Sequence, residues 1–284
     1  MPRLRLVTGT ALLALAVSAC GSQSPSSEAP KTSTPSSRPA TPSATSSTKA
    51  EAAVQALRDR VRKPGTGTFS MVTRTVPGSL VASIRGHYRL TDQQLAAQLI
   101  VPQSSRKAAT AKLELVKNDA FLQVDEWKKP SRTCWLRTTA DQLSQRYGLD
   151  VVGTGLVPLP LALLDNFRAT TINGKGLIDG NLNITDVLPM LGGSIKRQLV
   201  VAKPQGVVPA FVSFSGNDVQ VTIPGYALSA ALAQSLGVAE SQFSAIAADR
   251  FEAGLKVTGP VATLRAPSSK RQMTTADLVA NRCG

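Results

Sequence analysis

From residue 50 onward the chain alternates between two hydrophobic periods. Between Ala50 and Arg62, Val54, Leu57 and Val61 fall on one helical stripe, and Lys63-Pro64-Gly65 closes the run, which predicts a leading helix. The period then drops to two. "TFSMVTRTV" and "LVASIRGHYRL" are parted by the turn dipeptide Pro77-Gly78 and read as paired strands. In the second of them Leu80, Ala82, Ile84, Tyr88 and Leu90 share one face, while Ser83, Arg85, His87 and Arg89 share the other. "QLAAQLIV" predicts a third strand, and "KLELVKNDAFLQVDEW" two more around an Asn118-Asp119 hairpin turn. "CWLRT" predicts the next, followed by a short helix over residues 140 to 147.

The second half repeats this alternation. "GLIDGNLNIT", "KRQLVVA", "VVPAFVSFSGNDVQVTI" and "RFEAGLKVTG" read as strands, with a hairpin at Asn217-Asp218. Helical spacing returns at Asp186 to Leu191, at Tyr226 to Leu236, and at Thr274 to Asn281 with Thr275 as cap. Leu156 to Phe167 is apolar almost all round until Asp165, the composition of a helix packed over an apolar surface. The sum is α+β: a long antiparallel sheet, a leading helix and apolar helices inserted between strand runs.

The N-terminus obeys a different rule. Arg3 and Arg5 precede an apolar run from Leu6 to Val17, then the small residues Ser18 and Ala19. That run is shorter than the about 20 residues of a membrane span and has the order of a secretory signal. Val17-Ser18-Ala19-Cys20 resembles a bacterial lipobox, in which the cysteine receives a diacylglyceryl group, is further acylated (for example with palmitate) and becomes the new N-terminus. One acyl chain holds marginally at about 0.8 kcal/mol per methylene, whereas two hold stably. Gly21 to Thr48 is nearly all Ser, Thr, Pro and Ala, too polar and small to form a core, so it reads as a disordered tether. The expected organisation is therefore a lipoprotein signal peptide at residues 1–19, a lipidated cysteine and tether at 20–49, and one folded domain at 50–284. Its expected place is the outer, extracytoplasmic face of the cell membrane.

Export also bears on the other two cysteines. Cys134 and Cys283 form an even pair in an oxidising compartment, and a disulfide between them is the expected state. Closing so long a loop is worth roughly 4 to 5 kcal/mol in the chain-entropy model. Of the net charge of +14, Arg3 and Arg5 carry two and Glu28, Lys31 and Arg38 a net one, leaving +11 for residues 49 to 284. Outside the cell such a surface meets lipid headgroups and anionic wall polymers, so nucleic acid is not an expected partner. Aromatics are 4% of the chain, too few for stacking platforms.

Catalytic signatures are missing from the sequence. It holds no G-x-S-x-G, no P-loop, no G-x-G-x-x-G and no histidine cluster. The single histidine, His87, falls on a strand face among Ser83, Arg85 and Arg89, a poor setting for a base or a metal ligand. Asp179, Asn181 and Asn183 match the start of a calcium loop, but its sixth and twelfth positions are Ile184 and Met190 where Gly and Glu are needed. Asp125 and Glu126 are adjacent on a strand end and point to opposite faces. The expectation is a protein without catalysis, cofactor or metal.

In order and pattern, the lipobox, the Ser/Pro-rich tether, the leading helix, "GTFSM", and "RGHYRL" followed by "LTDQQLAAQLIV" resemble the LppX/LprAFG group of actinobacterial lipoproteins. That resemblance implies a LolA-like half-barrel with helices over its concave face. The inner wall is then expected from Phe69, Met71, Ile84, Tyr88, Leu99, Leu113, Leu115 and Phe211, with Leu159, Leu163, Met190 and Leu232 as the lid. Arg85 and Lys112 are the basic residues expected at the rim, facing an anionic headgroup. The functional expectation is an envelope lipoprotein that binds or carries a lipid or other amphiphile. The alternative is an anchored interaction or sensor module with a filled core, serving an envelope protein, a transporter or a wall polymer.

Overall fold

A computed structural model describes residues 44–279, apart from 77, 104–105, 125–133 and 174–175. The proposed signal peptide, Cys20, most of the tether, Asp125, Glu126 and Cys283 lie outside the described residues.

The chain begins with α1 (Ala44–Arg62), whose start falls inside the segment expected to be tether. Ala50, Val54, Leu57 and Val61 are its buried stripe, as the spacing predicts. Six strands follow: β1 (Thr66–Thr75), β2 (Leu80–Arg89), β3 (Gln94–Gln103), β4 (Arg106–Val116), β5 (Asp119–Val124) and β6 (Trp135–Thr139). Next come α2 (Ala140–Gln142), which runs on as a π-helical turn over Leu143–Tyr147, and α3 (Leu159–Asn166). The second half contains β7 (Arg168–Asn173), β8 (Leu177–Asn183), α4 (Ile184–Val187), α5 (Gly193–Ala202), β9 (Val207–Ser215) and β10 (Asp218–Pro224). It ends with α6 (Gly225–Leu236), α7 (Ser244–Ala247), β11 (Asp249–Val257), β12 (Gln272–Met273) and α8 (Thr275–Val279).

All twelve strands form one open sheet in the order β12-β6-β5-β4-β3-β2-β1-β11-β10-β9-β8-β7. Every neighbouring pair is antiparallel except β6 with β12. The α+β class and the single, mostly antiparallel sheet are as the sequence predicts. Register aligns the apolar positions into rows across it. Leu136, Leu122, Leu113, Ala97, Gly86, Phe69, Leu255 and Val219 oppose one another in turn. So do Ala111, Leu99, Ile84, Met71, Ala253, Val221, Val212 and Ile178. These rows make the inner face. Residues one position away, among them Lys112, Gln98, Arg85, Ser70 and Gln220, make the outer face.

Several local expectations are corrected. "KRQLVVA" is helix α5, not a strand: Ile195 and Leu199 stand one turn apart against the core, while Val200 and Val201 stay exposed. Their β-branching suggested a strand, and tertiary packing overrides it. The strands β7 and β12 carry too weak an alternation to show in the sequence. The hairpin turns fall one residue earlier than expected, at Lys117-Asn118 and Gly216-Asn217, with Lys117 and Gly216 at φ values of 56° and 55°. The cap of α8 is Thr274 rather than Thr275. The Thr274 hydroxyl accepts from the Asp277 N–H at 3.2 Å, and the Asp277 carboxylate accepts from the Thr274 N–H at 2.8 Å, a reciprocal capping box.

The helices cover the two halves of the inner face differently. Over β8 to β11 and β1, α3, α6 and α7 press directly on the strands, with α1 on β7, β11 and α3. Arg58 ties this layer together. Its guanidinium donates to the Leu164 and Phe167 carbonyls at the end of α3 and to Glu51 at 2.8 Å. Arg62 adds a two-pronged pair with Asp165. Over β1 to β3 the cover is looser, and an inward opening lies there.

Candidate ligand-binding groove

The groove encloses about 390 Å³ between the inner face of β1, β2, β3 and β11 and two covering segments. Its floor is Met71, Ile84, Leu99 and Phe251, side chains that register places next to one another. Its roof is Tyr147 to Asp150 on one side and Pro189 to Gly193 with Ile195 on the other. The two roof segments meet where Gly148 crosses Gly193. A Cβ on Gly148 would stand 2.6 Å from the Gly193 Cα, so the backbones approach as only glycine allows. Beside this crossing, the Lys196 ammonium donates to the Asp150 carboxylate at 2.5 Å and to the Ser144 hydroxyl at 2.7 Å. The pair is largely screened from water, at 13% and 9% side-chain exposure, and it holds α5 against the π-helical turn.

A second opening of about 370 Å³ sits next to the first, between Leu115 and the segment from Ala140 to Leu156. Asp150 lines both. A third, shallower hollow of about 410 Å³ lies on the outer face around Phe211, Leu177 and Tyr226.

Among solved structures, the chain is similar to the crystal structure of the Mycobacterium tuberculosis lipoprotein LppX, at 11% sequence identity over 71% of this chain and 94% of that one, with a TM-score of 0.30. No family model and no curated protein matches the sequence.

The expected lining residues divide into three groups. Met71, Ile84, Leu99 and Met190 come together around the groove. Phe69, Tyr88, Leu113 and Leu115 share the same inner face but are packed as wall, each at most 5% exposed. The Phe69 ring lies over Gly86 and the Tyr88 ring over Gly67, filling the space that a Cβ would take. Phe211 stands apart: it opposes Thr222 and Asp179 on the outer face, one residue out of phase with the buried Val212. Of the expected lid, Leu159, Leu163 and Leu232 are fully packed in α3 and α6 and line none of the three openings. Arg85 and Lys112 are outer-face residues, so the expected basic rim on the groove is not formed by them.

Its polar groups are different ones. Besides Thr73 and Ser83, the groove is lined by two carboxylates, Asp150 and Asp249, and by no Lys or Arg among the described residues. Burial raises the Asp249 pKa above its ordinary value. No hint in the sequence singled out Asp249, because an acidic residue at a strand start is common. Its significance lies in its phase with Phe251 and Ala253, inner-face residues two and four positions on. His87 is half-buried on the outer face, and burial lowers its pKa. The calcium-loop residues Asp179, Asn181 and Asn183 lie along β8, with Asp179 accepting from the Thr171 hydroxyl at 3.0 Å. Among the described residues no group of three or more His, Cys, Asp or Glu is placed to hold a metal.

Proposed function

We propose that the chain is an envelope lipoprotein, anchored through Cys20, that binds or carries an amphiphile without catalysis. The observation that carries this reading is the groove over β1 to β3. Its volume of about 390 Å³ lies within the roughly 300–1,000 Å³ of small-molecule sites, and its floor is almost wholly apolar. Each methylene moved from water into it gains about 0.8 kcal/mol. A single hydrocarbon tail is thus retained without a hydrogen bond, and transfer needs no bond made or broken. Among the described residues no helix is long and apolar enough to cross a membrane.

The test is organic extraction and native mass spectrometry of the purified chain. Co-purified amphiphile, or saturable uptake of the neutral dye Nile red, is expected. A chain that is lipid-free and takes up no dye overturns the reading. In that event the second proposal applies, an interaction module whose basic surface serves an envelope protein, a transporter or a wall polymer. The packed wall over β8 to β11 supports that alternative. For the anchor, Cys20→Ala is expected to release the chain from the membrane fraction or leave it unprocessed, as fractionation would show.

The Cys134–Cys283 bridge also belongs to this proposal. Cys134 is fully buried at the start of β6. The helix α8 touches β6 and ends at Val279, shortly before Cys283. Electrophoresis with and without reductant is expected to separate two mobilities; two titratable thiols in the untreated chain would remove the bridge.

A further inference from the structure

We propose that the groove selects an amphiphile whose polar end donates hydrogen bonds, a neutral hydroxyl or an ammonium, over one with an anionic end, and that Asp249 sets this preference. The inference deepens the binding reading above and rests on it.

The argument begins from strand phase. Asp249 opens β11 two residues before Phe251, in phase with the inner face, and at this end of the strand it stands on the rim, lining both the groove and the outer hollow. The cations nearest in the sheet have the opposite phase. Arg74 and Arg250 face each other across the β1–β11 pairing on the outer side, and both are drawn to Glu252, at 3.8 and 2.8 Å. Neither neutralises Asp249, whose carboxylate has no hydrogen-bond or ion-pair partner among the described residues. Lys196, the nearest ammonium to the roof, is committed to Asp150 and Ser144 and does not line the groove.

An incoming tail therefore meets an apolar floor with one unpartnered acid at its edge. A phosphate or carboxylate headgroup placed there adds like charge to a group that burial already disfavours in its charged form. A hydroxyl or ammonium donates to it and replaces the water it loses.

Displacement of Nile red from the purified chain at neutral pH tests this, with dodecanol, dodecylamine and dodecanoate as competitors of equal tail length. Dodecanol and dodecylamine are expected to displace the dye at concentrations roughly tenfold or more below that of dodecanoate, the effect of one charge-assisted hydrogen bond. Asp249→Asn, nearly isosteric and able to fold alike, is expected to reduce that gap severalfold by raising the affinity for dodecanoate. Asp249→Lys is expected to reverse the order. Equal displacement by all three, a preference for dodecanoate, or an unchanged preference in Asp249→Asn overturns the assignment while leaving binding itself intact. Failure of the dye and all three competitors to bind removes the underlying binding reading along with it.

Discussion

Two aromatic side chains decide how much of the inner face is wall and how much is space. Phe69 covers Gly86 and Tyr88 covers Gly67, so each side chain packs against the bare backbone of the neighbouring strand. A Cβ at position 86 would meet the Ala96 carbonyl at 2.1 Å and the Phe69 ring at 2.7 Å. Gly86→Val is therefore expected to destabilise the fold by about 1–3 kcal/mol or more, the cost of overpacking, in urea titration. Tyr88 presents the reverse case. Its hydroxyl is buried with no hydrogen-bond partner among the described residues, and burial pushes its pKa up to about 12. Tyr88→Phe removes an unsatisfied buried group whose cost is about 1–3 kcal/mol, so thermal melting is expected to show equal or higher stability. Asp249 gives a pH signature. A carboxyl whose folded pKa is raised favours the fold when protonated, and that advantage is lost as pH rises through the raised value. Asp249→Asn is accordingly expected to melt slightly higher than the parent at neutral pH, with the difference vanishing below the ordinary carboxylate pKa.

At the scale of elements, α5 carries the lesson about what a sequence makes legible. Periodicity located β1 to β4, β6, β8 to β11, α1 and α6, because each has a more exposed side to contrast with its buried one; β5, where Ala120, Phe121 and Leu122 are all buried, was located by its hairpin turn. Periodicity misread α5, where two adjacent valines mimic a strand and the deciding contacts, Gly148 on Gly193 and Lys196 on Asp150, come from some fifty residues earlier. The groove floor was legible to the same degree: Met71, Ile84 and Leu99 follow from strand phase alone. Phe211 was misplaced by one residue in phase, which is enough to move a side chain through the sheet. The roof was illegible, since it is built from irregular chain that no period describes. Lys196→Met should expose this element. Leaving Asp150 without its partner is expected to cost roughly 2–3 kcal/mol, below the about 3–5 of a fully buried pair because some water reaches this one. Hydrogen exchange should quicken in α5 before it does in α6.

Across the sheet, the inner face is covered directly by helices over β8 to β11, whereas over β1 to β3 a groove remains beside the packed Phe69 and Tyr88. The directly covered part supplies rigidity through α1, α3 and α6, and the groove is bounded by segments pinned at one crossing and one ion pair. Filling the groove is thus expected to separate binding from stability. Leu99→Trp would occupy the groove floor and abolish dye uptake, with a change in melting temperature smaller than that of Gly86→Val.

The chain after β11 has a consequence of another kind. Residues 258 to 271 run over the outer face, where Arg89 donates to the Val261 carbonyl and Thr263 hydroxyl, and Gln94 exchanges two hydrogen bonds with the Leu264 backbone. Only then does β12 reach β6 and complete the sheet edge. During synthesis that edge of β6 must wait unpaired until residues 272 and 273 have been made, after the other strands of the sheet. A nascent polypeptide built this way fastens one border of its sheet only after the rest of the strands exist to receive it.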